Sequence, residues 1–322
     1  PVRRRRQGAL PQTGHTRRSG PPRVRDPAAP VQQRENPRDG DRQRRAGGRG
    51  GDAERDGGEA EVVAQIHATA IVNREASIGS GVEIGPYVVI GPSVTIGADS
   101  VIGAFTRIEG PTEIGERNHF YGHASIGSPP QDLKYHGEHT EIAIGNDNVF
   151  REFVTMNRGT AGGGGRTTIA SNNFFMAYSH VAHDSHVGSN VIFANNATLA
   201  GHVDVGDHST IGAFSAVHQF CRVGDHAFIG GFTVVTQDAL PYVKTVGDRP
   251  AKTYGINTIG LQRKGFPPET LEALDRAYRI LIRSKLKLQD ALQQIESEFS
   301  NYPETRYLVE FIRGGSQRGF IR

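Results

Sequence analysis

The stretch ASIGSGVEIGPYVVIGPSVTIG, residues 76–97, puts isoleucine at 78, 84, 90 and 96, each followed by glycine. The six-residue spacing extends back to Ile66 and Val72 and forward through Ile102, Ile108, Ile114, Phe120 and Ile126. It resumes at Ile144, Phe150 and Met156, then runs in a new phase from Ile169 to Val235 through Phe175, Val181, Val187, Phe193, Leu199, Val205, Ile211, Val217, Val223 and Ile229. The residue two places before the apolar one is usually small or branched, as at Ala76, Ser185, Ala197 and Cys221. A six-residue period is too short for a helical hairpin or a propeller blade and matches the hexapeptide signature of a parallel β-helix. Each hexapeptide is one flat side, three sides make a coil of 18 residues, and coils stack about 4.8 Å apart through backbone hydrogen bonds. One buried strand or helix explains one such run, but not a register kept along most of the chain. The fold class is therefore mainly β: a left-handed parallel β-helix of hexapeptide repeats with a small C-terminal α-helical domain.

Charge divides the 322 residues unevenly. Residues 1–60 hold 15 Arg and 8 acidic residues out of 37 basic and 34 acidic in the chain, so the remainder is net negative. This Arg-, Pro- and Gly-rich segment has too few apolar residues to bury a core and reads as a disordered extension. The expectation is that it is translated sequence upstream of the true start or a dispensable extension. A basic run such as Arg3–Arg6 also suits nucleic acid, but without interleaved aromatics no nucleic-acid partner is expected. No signal-peptide pattern and no run of 18 apolar residues occurs, so a cytoplasmic protein without stable membrane insertion is expected. The single cysteine, Cys221, sits at a small inward position and reads as core.

The repeat is expected to span 61–260, with loops at 127–143 and 157–168. GSPPQDLKYHGEHTEIA, 127–143, has Pro, Gly and charge where aliphatics are required, and NRGTAGGGGRTT, 157–168, shifts the phase by one residue. Loops leaving a rigid solenoid commonly carry function; a phosphate cradle would need a following helix, so Gly162–Gly165 read as a flexible link. From 261 to 322 the period becomes helical: Leu271, Leu274, Tyr278 and Leu281, then Leu288, Leu292, Ile295 and Phe299, then a short helix from Tyr302 to about Ile312. This cap carries 11 basic and 8 acidic residues against 11 and 18 in the solenoid, which by charge alone suits an acidic partner and an ordinary solvated surface equally.

Histidine concentrates at 180, 183, 186, 202, 208, 218 and 226. The coil period stacks His183, Gly201 and Gln219 in one external column and sets Asp184 below His202. An imidazole beside a carboxylate is a general-base arrangement, because the carboxylate fixes the tautomer and stabilises the imidazolium. A glycine one coil above offers an unshielded N–H to a developing oxyanion. With no Ser or Cys nucleophile placed by motif, direct attack of a substrate hydroxyl on an acyl donor is expected. Three imidazoles and a water would instead make a catalytic zinc centre, as in the trimeric β-helices of the γ-carbonic anhydrase class; no metal or other cofactor is expected here. An interaction scaffold, with the histidines incidental, is the non-enzymatic alternative.

QDLKY at 131–135, NRGT at 157–160, HVAHD at 180–184, NNATLAGHV at 195–203, AVHQFCRVG at 216–224 and a terminal GFIR together resemble the UDP-N-acetylglucosamine O-acyltransferases of lipid A synthesis, over about 66–322. The resemblance implies a homotrimer with its active site between neighbouring β-helices, moving an (R)-3-hydroxyacyl group from acyl carrier protein to the 3-hydroxyl of UDP-N-acetylglucosamine. It implies His183 as base, Asp184 as its orienting carboxylate and Gly201 as oxyanion donor, the three the stacking argument reaches. It further implies Asp132 and Lys134 as substrate-contacting loop residues and His180, His202, His218 and Gln219 as polar lining. Asn257 and Arg263 fall near the nucleotide, and Gly231 at an acyl-length ruler. Ile259 stands where relatives carry an acidic nucleotide contact, and Asn157 where some have His. The paralogous N-acyltransferases share the fold but usually add a folded N-terminal uridine-binding domain, for which residues 1–60 lack the apolar pattern. Arg263, Lys264, Arg279, Arg283, Lys285 and Lys287 are expected to face the acidic carrier protein.

Overall fold

A computed structural model describes residues 63–322; the expectations for residues 1–60 lie outside the described residues. Strands of two to four residues follow one another around a three-sided prism. Sheet I begins with Gln65–Ile66, sheet II with Ile71–Val72 and sheet III with Ser77–Ile78, and every third strand joins the same sheet. Pairing is parallel and joins each side to the same side of the next coil, as in Ile66 with Ile84, Val72 with Ile90 and Ile78 with Ile96. The periodic residues fill the prism axis and most are fully buried. On sheet I the filling is aromatic: Phe120, Phe150, Phe175 and Phe193 stack at 4.3, 5.1 and 4.7 Å between ring centroids. Beside them runs a buried asparagine ladder, in which Asn118 Oδ1 accepts from Asn148, Asn148 Oδ1 from the Asn173 amide and Asn173 Oδ1 from the Val191 amide. Each carboxamide thereby satisfies a corner N–H that lacks a strand partner.

Pairing resumes across both insertions, with one register shift between Ile126 and Ser128 where the first one leaves. Phe120 pairs with Phe150 and Ile126 with Met156 across the first, while Ile144 pairs with Ile169 across the second. The loops are shorter than their composition suggests. Strands Ser125–Ser128 and Glu141–Ile144 close the first to 129–140, and strands Thr155–Asn157 and Arg166–Ile169 close the second to 158–165. Backbone pairing, such as Glu141 with Arg166 and Thr112 with Ile142, recruits flanking polar residues that an apolar count passes over. Nor are Gly162–Gly165 a slack link: Ala161–Gly163 form one turn of 3-10 helix, capped by the Thr160 hydroxyl.

Corners turn on residues in the left-handed region, including Asp184, His202 and Phe220 between sheets II and III. Between sheets I and II the same positions hold Tyr87, Phe105, His123, Phe153 and Tyr178, stacked 4.8–5.1 Å apart, and higher up Phe214 over Phe232 at 5.1 Å. These rings face outward; Phe232 is 70 % exposed and Tyr87 57 %.

After the antiparallel pair Val243–Val246 and Lys252–Ile256 come helices α1 (Thr258–Arg263), α2 (Pro268–Arg283), α3 (Leu288–Phe299) and α4 (Pro303–Arg313). They bury a second apolar cluster around Leu274, Tyr278, Ile295 and Leu308. Helix α4 docks on the prism through Tyr307, whose hydroxyl donates to Asp225, and through Arg222, which donates to the Phe311 carbonyl and to Asp238. No described helix is long and apolar enough to cross a membrane.

At the corner between sheets III and I, His226 stacks on His208 and Tyr242 and meets Phe266 edge-on. Burial there, helped by the nearby His208 and Lys264 and opposed by Asp207, pushes its pKa from 6.5 down to about 4. Between those values the unfolded chain binds a proton that the folded chain refuses, so stability is fully present above pH 6.5 and falls as pH drops toward 4. The Tm of His226→Phe should therefore fall less steeply over that interval than that of the parent, as read by calorimetry.

Candidate active site

His183 and Asp184 sit at the corner between sheets II and III, directly after strand His180–Val181. Asp184 turns the corner at φ 57° and its side chain lies under the 158–165 loop. Three groups donate to its carboxylate: the Thr160 amide to Oδ1 at 2.8 Å, the Thr160 hydroxyl to Oδ2 at 2.6 Å, and His183 Nδ1–H to Oδ2 at 2.8 Å. A buried charge requires such satisfaction. Donation through Nδ1 leaves the His183 Nε2 lone pair available as a base.

Gly201 lies one coil above. A Cβ there would stand 2.5 Å from Cε1 and 2.8 Å from Nε2 of His183, so glycine is required for the imidazole to fit. Among the described residues the Gly201 N–H meets no acceptor, which leaves it free for a ligand. His202 is edge-on to His183 at 5.2 Å, stacks on Phe220 at 4.5 Å, and has Nε2 3.7 Å from Asp184 Oδ2. Burial lowers the pKa of His202; Asp184 and Asp132 oppose this, and His183 reinforces it. Burial likewise lowers that of His180, whose Nδ1 is 2.7 Å from the Thr155 hydroxyl. Both are thus kept neutral near pH 7, as hydrogen-bonding rather than charged groups.

The expected external column is roofed at its lower end: His183 is 6 % exposed and Asp184 2 %, whereas His218 and Gln219 are open to solvent. The 129–140 loop leaves from the same corner and carries Asp132 and an exposed Lys134. Other sequence-derived candidates stand elsewhere. Gly231 is at the corner between sheets I and II, beside Phe232. Asn257 is at the third corner, where its carboxamide is already engaged, accepting from the Gly260 amide as the cap of α1 and donating to the His226 carbonyl. Arg263 is exposed at the end of α1. One prism therefore gathers the His183 column and the Asp132 loop but does not bring Gly231, Asn257 or Arg263 to them.

His183, Asp184 and His202 offer three metal-ligand atoms within 4.8 Å of one another. Asp184 Oδ1 and Oδ2 already accept three hydrogen bonds between them, and a cation would have to displace the His183 and Thr160 donors. The arrangement suits proton transfer better than metal coordination.

Two family descriptions match the chain: the second domain of UDP-N-acetylglucosamine O-acyltransferase over residues 238–321, and the bacterial transferase hexapeptide over 75–110, 166–201 and 202–237. The acyl-[acyl-carrier-protein]--UDP-N-acetylglucosamine O-acyltransferase of Myxococcus xanthus is 50 % identical over 260 residues, 81 % of this chain and 100 % of the relative. The chain belongs to the UDP-N-acetylglucosamine O-acyltransferase family. The correspondingly named Xanthomonas oryzae pv. oryzae protein is 47 % identical over 80 % of this chain and 97 % of its own length. Among solved structures, LpxA of Acinetobacter baumannii superposes with a TM-score of 0.78 at 42 % identity, covering 80 % of this chain and 99 % of that one. The Arabidopsis UDP-N-acetylglucosamine acyltransferase gives 0.70 at 35 %, covering 80 % and 100 %.

Within this O-acyltransferase, sequence reasoning passed over Thr160 and Gly163. Thr160 stood inside the quoted NRGT motif, but nothing in a period of six assigns a loop residue to a corner 24 positions later. Gly163 lies against the carboxylate so closely that a Cβ would overlap the Asp184 carboxyl group. For Gly201→Ala, displacement of a ring held by Asp184 should lower kcat about 10²-fold with an unchanged circular dichroism spectrum.

Proposed function

We propose that the enzyme transfers an (R)-3-hydroxyacyl group from acyl carrier protein to the 3-hydroxyl of UDP-N-acetylglucosamine, the first step of lipid A synthesis. The observation that carries the chemistry is the His183 imidazole oriented by a buried carboxylate beneath a glycine with a free N–H. His183 Nε2 takes the proton of the sugar 3-hydroxyl as its oxygen attacks the thioester carbonyl carbon. Asp184 stabilises the imidazolium, and the Gly201 N–H donates to the carbonyl oxygen as it gains charge. Collapse breaks the C–S bond, and the proton passes from His183 to the leaving sulfur. Among the described residues no Ser or Cys side chain hydrogen-bonds to His183, and Cys221 is buried in the prism with its thiol pKa pushed up to about 11 by desolvation, which supports direct attack. Lys134 and Asp132, with His180, His202, His218 and Gln219, line the substrates on this reading.

The working unit on this reading is a homotrimer in the cytoplasm. Residues assigned to nucleotide and acyl chain occupy corners of the prism other than that of His183, so a complete site needs a second protomer to bring them together. The outward rings, one stack running from Tyr87 to Tyr178 and a second pairing Phe214 with Phe232, support association, because exposed apolar patches of this kind are costly to hydrate. Acyl carrier protein docks on the exposed cations of α1, of α2 and of the turn after α2, where Arg263, Lys264, Arg279, Arg283, Lys285 and Lys287 all face solvent. On this reading Gly231 adds no side chain at the acyl-length position, and Ile259, exposed on α1, gives the nucleotide no carboxylate.

Purified protein given UDP-N-acetylglucosamine and hydroxyacyl carrier proteins of several lengths should yield an O-acylated sugar nucleotide identified by mass. His183→Ala should remain trimeric by light scattering and lose about 10²- to 10⁴-fold in kcat; a trimer with full activity would remove His183 as the base. Raising ionic strength from about 50 to about 500 mM should raise KM for the carrier protein severalfold while leaving KM for the sugar nucleotide nearly constant, since screening weakens steering of an acidic partner.

A further inference from the structure

Resting on the reading of His183 and Asp184 as a catalytic pair, we propose that Thr160 is a positioning residue for the transfer reaction. It sets the carboxylate of Asp184 from two directions and is itself held by the base of the substrate loop. The Asp184 carboxylate is fully buried, and besides His183 its close donors are the Thr160 amide and hydroxyl. The amide fixes Oδ1, and the hydroxyl fixes the lone pair of Oδ2 that His183 does not use. A carboxylate held at both oxygens cannot rotate about its Cβ–Cγ bond, so Oδ2 stays aimed at Nδ1–H and the ring keeps the tautomer that leaves Nε2 basic.

Thr160 is fixed in turn by its own segment. The Asn157 carboxamide donates to the Pro129 carbonyl at 2.9 Å and more weakly to that of Ser128. Arg158 donates to the Gly127 carbonyl at 2.9 Å and to the Tyr135 hydroxyl at 3.0 Å, with its guanidinium over the Tyr135 ring. The segment from Asn157 to Thr160 thus ties the excursion bearing Asp132 and Lys134 to the carboxylate that orients the base. Gly163, against the carboxyl group, closes the far side of the cradle and holds the cap geometry through its N–H to the Thr160 hydroxyl.

Thr160 sits at φ −119° and ψ 153°, extended backbone that valine adopts without strain. Thr160→Val removes only the hydroxyl and Thr160→Ser keeps it. Steady-state kinetics with both substrates should show Thr160→Val reduced about ten- to hundredfold in kcat, with both KM values within twofold of the parent and an unchanged circular dichroism spectrum at the assay temperature. Thr160→Ser should restore most of the rate. Gly163→Ala, which pushes the carboxylate while leaving the hydroxyl, should give the same loss in kcat at constant KM and decides the matter if the valine protein does not fold. A valine variant with parental kcat, a serine variant as slow as valine, a rise in KM matching the fall in kcat, or an alanine variant at 163 with parental kcat would each overturn the assignment. His183→Ala assayed alongside separates the two claims. If it is inactive while Thr160→Val is unimpaired, only the role of Thr160 falls; if it is fully active, the catalytic pair falls with it.

Discussion

Parallel backbone hydrogen bonds between successive coils are the constraint on which everything else in this molecule depends. They carry no side-chain information, yet they decide which residues share a column. The aromatic ladder inside sheet I, the asparagine ladder beside it and the outward rings between sheets I and II are all consequences of one constant offset. A slip of one residue in any coil would turn its aliphatic side chains outward and scatter the column containing His183. The two insertions test this constraint: each adds residues to a coil, and the pairing on either side is preserved. Loop length is inexpensive in free energy relative to the ladder it interrupts.

Rigidity of that kind suits a reaction in which proton transfer and acyl transfer are coupled within one encounter. The proposed base, His183, stands on a corner whose backbone is held from below and above, with the His202 amide donating to the His183 carbonyl. Its carboxylate partner is sealed by a loop rather than by the solenoid, so orientation comes from the one part of the coil that is free to vary. The open groups, His218, Gln219 and Lys134, are those expected to meet exchangeable substrates, and the sealed ones are those that must not move.

Much of this was legible beforehand because the hexapeptide period is a direct physical readout: apolar residues at six-residue spacing can all be buried only if the chain coils with three flat sides. Counting one coil on from His183 and Asp184 reaches Gly201 and His202, and the structure stacks those positions as the arithmetic requires. Helices α2 to α4 were legible by the same logic, at the period of an α-helix. What the period could not report is any contact made outside it. The ordered turn at Ala161–Gly163, the Thr160 donors and the Arg158 anchor depend on how a loop folds back on the solenoid, and a glycine-rich composition reads as freedom until something is found against it. Asn257 shows the converse, since a side chain assigned to the nucleotide is also used to cap a helix.

The prism, its offset and the vertical neighbours of His183 are written in the order of residues, because they follow from burying a periodic set of side chains under a fixed backbone pairing. The closed lower end of the column, the fit of the His183 imidazole against a glycine at 201 and the hold of Thr160, from a separate loop, on the carboxylate emerge from the folded chain alone. Those outcomes rest on packing and hydrogen bonding between segments with no common period, and no count along the chain contains them.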